Sequence, residues 1–220
     1  MTSSTTASVL WPAGMAARLS SAAIITYQAL LLAVIFIRPE VDPTHKPVSE
    51  YAIGRYGWVM VLTFLTAALS YACLAAAVRP LVRGLAGRVG LVILCACVVG
   101  TVGVGVFVAD PVTTPLTGLT TIGTLHVIFG FGALVLLPFA ALLINLDLTG
   151  LSAAAKPVVW WTAGLPMAGL ILHWLLSLVV PPQGWPPRLL FLTYAAWLLI
   201  LNAHIGRIGP AAHDATASGI

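Results

Sequence analysis

Six long apolar runs constrain this chain more than any other feature of its sequence. Each contains no Asp, Glu, Lys or Arg. A helix needs about 20 residues to cross the roughly 30 Å hydrocarbon core of a bilayer. The sequence therefore predicts an all-α fold, a bundle of six transmembrane helices. The predicted spans are residues 19–37, 58–78, 89–108, 124–144, 158–179 and 189–205.

Composition agrees with lipid as the solvent. The chain is 60% hydrophobic and only 7% charged, whereas soluble domains carry about 25% charged residues. The net charge of +4 arises from ten Lys and Arg residues scattered between the apolar runs, without the basic patch that nucleic acids require. No segment between the runs is long enough to fold alone, so residues 1–220 are predicted to form a single integral membrane domain.

The distribution of basic residues predicts the orientation. With six spans, both termini share a side with the second and fourth loops, and that side carries six Lys or Arg residues against four on the other. Cytoplasmic loops carry the excess of positive charge. We therefore expect both termini in the cytoplasm and the first, third and fifth loops outside, in a multi-pass protein of the plasma membrane surrounded by membrane lipid. The first run ends without a small-residue cleavage site, which favours a retained helix over a signal peptide.

No cofactor is predicted. The cysteines Cys73, Cys95 and Cys97 lie inside apolar runs without zinc-type spacing, and a lipid-buried thiol usually acts as a small hydrophobe. The chain contains neither a P-loop nor a glycine-rich dinucleotide fingerprint. We predict no metal site. Metal chemistry stays an open alternative for four residues whose side chains are common metal ligands but whose spacing matches no known metal motif: Glu50, Asp110, His126 and His173.

A polar and aromatic segment at residues 47–58 interrupts the apolar pattern before the second run. Ser49 is a candidate N-cap, which would place Glu50 in a first helical turn where a carboxylate suits the helix dipole. A second helix that starts there would be about 43 Å long. Its first two turns would then protrude or lie over the outer mouth of the bundle.

The predicted topology collects further polar residues at this same end. Asp110 falls at the end of the third span, where a carboxylate opposes the helix dipole and needs a donor; Arg55, Arg188 and His126 are the candidates. His173 lies about 9 Å inside the fifth span, where ionisable groups are functional candidates. We predict catalytic roles for Glu50, Asp110, His126 and His173, and substrate contacts from Tyr51, Arg55, Tyr56, Trp58, Trp185 and Arg188. Glu50, Asp110 and His126 should lie close together.

Each of these residues also has a structural interpretation. Glu50 would serve as a helix cap, Arg55 as an interfacial anchor, and His173 as a neutral ring bonded to a backbone carbonyl. The convergence of carboxylate, imidazole and guanidinium groups on one side nevertheless favours a polar site.

Three segments carry a family resemblance. The sequences VSEYAIGRYGW at residues 48–58, FVADP at 107–111 and LH at 125–126 resemble the bacterial membrane family catalogued as domain of unknown function 998, over about residues 20–205. The resemblance implies a six-helix membrane protein. It also implies that the characteristic residues are Ser49, Glu50, Tyr51, Gly54, Gly57, Asp110 and His126. It implies no chemistry.

Two functions of different classes fit these observations. The first is a membrane enzyme, similar in action to terpene cyclases, that cyclises or isomerises a lipophilic, isoprenoid-like molecule. Glu50 or Asp110 would act as the general acid, and aromatic faces would stabilise a cationic intermediate. The alternative is a non-catalytic protein that binds lipid or a small molecule, or is a transport or membrane-complex subunit. The sequence leaves the oligomeric state open.

Overall fold

The computed structural model describes residues 13–148, 156–179 and 184–217. Within these ranges the chain forms six long α-helices, short 3-10 turns and no strand, and each long helix is apolar enough to cross a membrane. The predicted fold class, an all-α six-helix bundle, is confirmed. The helices are α1 Ala13–Ile37, α2 Gly57–Val78, α3 Leu85–Val106, α4 Thr121–Leu148, α5 Lys156–Val179 and α6 Trp185–Ala217.

The helices pack in chain order and close into a ring. Each helix contacts the next, α1 also packs against α6, and α2 reaches α6 across the bundle. Large side chains such as Trp197, Met60 and Leu74 fill the core, while Phe36 and Leu32 are exposed on the outside. Because lipid is as apolar as the core, the outward faces need not be polar.

Helices α3 and α4 approach each other closely through glycines. A Cβ atom at Gly103 would lie 2.5 Å from the ring of Phe129, and one at Gly100 would lie 3.0 Å from the Phe129 carbonyl. These two glycines let the helix backbones approach closely. Gly132 and Gly164 lie in open space, since a Cβ at either position would meet none of the neighbouring atoms within 4 Å.

Asp147 caps the start of α3 from the far end of α4. Its carboxylate accepts hydrogen bonds from the backbone N–H groups of Arg83, at 2.8 Å, and Gly84, at 2.9 Å. The first N–H groups of a helix have no partner within the helix, so an acceptor from a neighbour satisfies them. This carboxylate therefore has a structural role at the end of the bundle opposite the first loop.

Candidate functional site

The first loop, residues 39–56, folds over one end of the bundle, and we call it the roof. It contains the 3-10 helix Val48–Ala52, which follows Pro47 as its N-cap. Gly54 and Tyr56 then adopt left-handed backbone conformations, with φ of 83° and 61°. The prediction that Ser49 caps a continuous second helix is therefore wrong. The chain turns at these two residues, and α2 begins only at Gly57.

Arg38, at the end of α1, supports the roof from below. Its side chain is buried, and Nη1 donates to the carbonyls of Tyr51, at 3.0 Å, and Ile53, at 2.9 Å. Nε donates to Glu40 at 2.5 Å, and this hydrogen bond is the main reason that the pKa of Glu40 lies below its ordinary value. The sequence analysis missed Arg38, because an arginine that follows an apolar run usually serves as an interfacial anchor.

Arg188, near the start of α6, supports the other side of the roof. Its Nη1 donates to the carbonyls of Pro43, at 2.9 Å, and Lys46, at 3.2 Å. The guanidinium carbon lies 5.7 Å from the centre of the Tyr51 ring, within cation–π range. Arg188 was predicted to contact substrate, but the structure uses it to bind the roof.

Tyr51 anchors the roof in the core. Its side chain is fully buried, and its hydroxyl donates to the Val41 carbonyl at 2.8 Å. Burial raises the pKa of Tyr51 above its ordinary value, although the nearby Arg188 opposes this effect. The hydroxyl is thus kept neutral as a donor within the roof.

A polar cavity of about 300 Å³ lies between the roof and the loop from α3 to α4. We call it the vestibule. Glu50 lines it from the roof, accepts a hydrogen bond from the backbone N–H of Val112, and lies 3.6 Å from the ammonium of Lys46. Glu50 therefore links the two loops that form the vestibule wall.

Asp110 lines the vestibule from the opposite loop. Its carboxylate accepts hydrogen bonds from the backbone N–H of Thr120, at 2.7 Å, and from the hydroxyl of the same residue, at 3.0 Å. A Cβ atom at Gly123 would collide with this carboxylate. The predicted partners, Arg55, Arg188 and His126, are wrong. Helix α3 ends at Val106, so the carboxylate is free to fold back onto the donors that precede α4.

A second cavity, of about 290 Å³, lies among the helices below the roof. We call it the chamber. Helices α1, α2, α3, α4 and α6 contribute to its wall, and the roof residues Pro47, Val48 and Ser49 close its top. Its surface is largely apolar and aromatic, as expected of a small-molecule pocket. The aromatic lining residues are Tyr27, Phe64, Tyr71, Phe131, Phe191 and Tyr194.

His126 lies where the two cavities meet, and its side chain is buried. Its Nδ1 is 2.6 Å from the Phe107 carbonyl, which can only accept, so Nδ1 carries a proton. In the neutral ring Nε2 is then the acceptor. The structure thus brings Glu50, Asp110 and His126 to one cavity, as the sequence predicted, with His126 also facing the chamber.

The other predicted site residues line neither cavity. His173 lies on α5 beside Trp174, with ring centroids 5.6 Å apart, and its Nδ1 is buried without a hydrogen-bond partner among the described residues. Within the described residues, no group of three or more His, Cys, Asp or Glu side chains could hold a metal ion. The side chains that point away from the cavities toward the surface are those of Arg55, Tyr56, Trp58 and Trp185.

Sequence reasoning missed the chamber wall. Its tyrosines Tyr27, Tyr71 and Tyr194 lie inside apolar runs, where an aromatic residue is most simply assigned to the core. The tyrosines themselves could have predicted a cavity, because a phenolic hydroxyl at membrane depth needs a hydrogen-bond partner. Three such hydroxyls on three helices indicate a shared polar feature within the bundle.

The chain is a multi-pass helical membrane protein, because its six long helices are apolar enough to cross a membrane. They close around a chamber with the vestibule at one end. Within this class the chain belongs to the family described as "Protein of unknown function (DUF998)", whose sequence profile matches residues 21–204. The resemblance drawn from three sequence segments is thereby confirmed, and the matched range contains every residue that lines the two cavities. Searches of curated proteins and of solved structures each found no significant match.

Proposed function

We propose that this protein binds an amphiphilic small molecule, with the apolar part in the chamber and the polar end in the vestibule. One observation carries the proposal: the two cavities meet, and both are lined by Pro47, Ser49, His126 and Val127. An aromatic cavity that adjoins one lined by two carboxylates matches a molecule with two unlike ends. Two carboxylates favour a polar end that donates hydrogen bonds or carries positive charge.

The α4 side of the chamber supports a lipophilic ligand. Val127 and Phe131 line the chamber, yet their side chains are 46% and 55% exposed. The chamber therefore reaches the outer surface of the bundle along α4. A molecule dissolved in the bilayer would enter by this side without passing through water.

Acid/base catalysis on that molecule is a second candidate, favoured by the position of His126. Its neutral ring would present Nε2 as a base at the junction of the cavities, while the Glu50 carboxyl would supply or receive a proton from the vestibule. Protonation of an isoprenoid-like alkene by the acid, followed by proton loss to the base, would isomerise or cyclise it. The aromatic faces of the chamber would stabilise the intervening cation.

The proposal includes the orientation in the membrane. The side that holds the second and fourth loops carries the larger number of basic residues, so we assign both termini to the cytoplasm and the roof to the outside of the plasma membrane. The polar end of the ligand would then face the exterior.

Mass spectrometry of compounds that co-purify in mild detergent tests the binding proposal. We expect wild-type protein to retain one lipophilic compound in near-stoichiometric amount. Phe131→Ala should reduce its retention several-fold, because the chamber wall loses a ring. Phe139→Ala is the matched control: Phe139 also lies on α4, is 44% exposed and lines neither cavity. Recovery of bulk phospholipid alone from the wild type would refute the proposal.

Incubation of the retained compound with fresh protein tests the catalytic candidate. Wild-type protein should convert it to an isomer of equal mass. His126→Gln should still retain the compound, because the glutamine amide is able to donate to Phe107, but conversion should fall by about two orders of magnitude or more. Return of the compound unchanged by the wild type would leave binding as the function.

A further inference from the structure

Two tyrosine hydroxyls in the chamber have no hydrogen-bond partner among the described residues. The side chains of Tyr27, on α1, and Tyr71, on α2, are 4% and 8% exposed, and both line the chamber. Neither hydroxyl is bonded within the protein, and neither belongs to the fully enclosed polar atoms. Buried hydroxyls are normally paired. These two therefore face the space of the chamber.

Two further hydroxyls in the chamber wall, on α6 and α3, differ from this pair. Tyr194 donates to the Leu134 carbonyl at 2.6 Å, and Thr101 donates to the Cys97 carbonyl at 2.8 Å. A hydroxyl has a single hydrogen to donate. Tyr194 and Thr101 have thus used theirs on the protein, whereas Tyr27 and Tyr71 keep theirs for a ligand.

The two free hydroxyls belong to the wall of one cavity, on the neighbouring helices α1 and α2, which pack against each other. Neither residue lines the vestibule. Tyr71 is fourteen residues along α2 from Gly57, which is about 21 Å at the helical rise. This pair therefore forms a second polar group in the chamber wall, separate from the vestibule.

We propose that Tyr27 and Tyr71 donate hydrogen bonds to an oxygen acceptor of the ligand, a carbonyl group of the ketone, aldehyde, quinone or ester type. The ligand would then carry an acceptor at its deep end, an apolar middle and a polar group in the vestibule. This inference rests on the proposed binding function and narrows its ligand class. A plain hydrocarbon tail would leave both hydroxyls unpaired, which is unfavourable for a buried donor.

Two probes of one skeleton test the inference: geranylacetone, which is an isoprenoid ketone, and the hydrocarbon in which a methylene replaces its carbonyl. Binding is measured by equilibrium dialysis against the full-length protein in detergent micelles. The wild type should prefer the ketone, and Tyr27→Phe and Tyr71→Phe should each weaken ketone binding roughly two- to tenfold. Neither should weaken hydrocarbon binding, because a phenylalanine ring leaves no buried hydroxyl unpaired. Tyr194→Phe is the matched control, and should keep the preference.

A second measurement is the infrared stretching frequency of a ¹³C-labelled carbonyl in bound geranylacetone. A variant that is merely less stable would not change this frequency. Donation by two phenols lowers the frequency, and each Tyr→Phe change should move it part of the way back. Equal binding of the two probes, with no change in the variants, would overturn the inference while leaving the binding proposal intact. If neither probe binds the wild type, the result would count against the carbonyl inference and against the binding proposal.

Discussion

Arg188 shows how a single buried cation is stabilised by dipoles instead of a carboxylate. Its side chain is 5% exposed, and Nη1 donates to backbone carbonyls of the roof and to the Gly184 carbonyl. These hydrogen bonds all come from Nη1, while Nε and Nη2 have no hydrogen-bond partner among the described residues. One side chain on α6 therefore holds a loop that lies more than a hundred residues earlier in the chain.

Replacing Arg188 by methionine should loosen the roof. The variant keeps the apolar stem but leaves the carbonyls of Pro43 and Lys46 without this donor. We expect the free energy of unfolding to fall by about 1.5–3 kcal/mol, as for a hydrogen bond to a charged group. Thermal unfolding in detergent measures the change. Arg55→Met, at an exposed arginine stacked on Tyr56, is the control and should cost about 0.5–1 kcal/mol; equal effects would contradict the role of Arg188.

Asp42 makes the stability of the roof depend on pH in the acid range. Hydrogen bonds from the hydroxyl and amide of Thr44, and from His45, lower the pKa of Asp42 from 3.8 to about 2. A lowered folded-state pKa means that the ionised carboxylate stabilises the turn. This contribution is complete above pH 3.8 and is lost as the pH falls through about 2.

Thr44→Val should raise the pKa of Asp42 part of the way toward 3.8, because the hydroxyl is lost while the amide donor stays. Titration of the ¹³C-labelled carboxyl by NMR measures it. An unchanged value near 2 would show that the Thr44 hydroxyl does not cause the shift. Thr26→Val, which removes a hydroxyl bonded within α1, should leave Asp42 as it is.

At the scale of elements, α3 and α4 cap each other. Asp110, just beyond α3, accepts from Thr120 before α4, and Asp147, near the end of α4, accepts from Gly84 before α3. Each helix thus satisfies the free N–H groups of its partner. The same two helices also pack closely through Gly100 and Gly103, so caps and packing specify the same alignment.

Asp110→Asn and Asp147→Asn form a matched pair that separates capping from ligand binding. Both keep an acceptor but remove its negative charge from a helix N-terminus, and we expect each to lower the free energy of unfolding by about 0.3–1 kcal/mol. Only Asp110 lines the vestibule. Retention of the co-purified compound should therefore fall for Asp110→Asn and stay normal for Asp147→Asn. Equal retention in both variants would limit Asp110 to capping.

For the whole molecule, the topology predicts where each loop is found. A reporter that is active only outside the membrane should be active when fused in the roof at residue 45 and inactive when fused at residue 82, between α2 and α3. The positive-inside bias gives this assignment. The reverse pattern would invert the proposed orientation, and equal activity at both sites would contradict the spanning of α2.

The sequence was sufficient for the helices and for three residues of the vestibule. Apolar length determines a span, and loop position places Glu50, Asp110 and His126 at one end. It was insufficient for the roof, because the left-handed turn at Tyr56 and the hydrogen bonds of Arg38 depend on tertiary contacts. The chamber was missed for the same reason: whether Tyr71 packs in the core or faces a cavity depends on its neighbours from four other helices.

The two arginines beneath the roof come from opposite ends of the chain, and this has a consequence for biosynthesis. Arg38 follows α1, whereas Arg188 belongs to α6, which is synthesised after the other five helices described. Until α6 is inserted, the carbonyls of Pro43 and Lys46 lack their buried donor, and the chamber lacks Phe191 and Tyr194 from its wall. The chamber is thus completed only when α6 is inserted, so helices α1–α5 alone would not hold the proposed ligand.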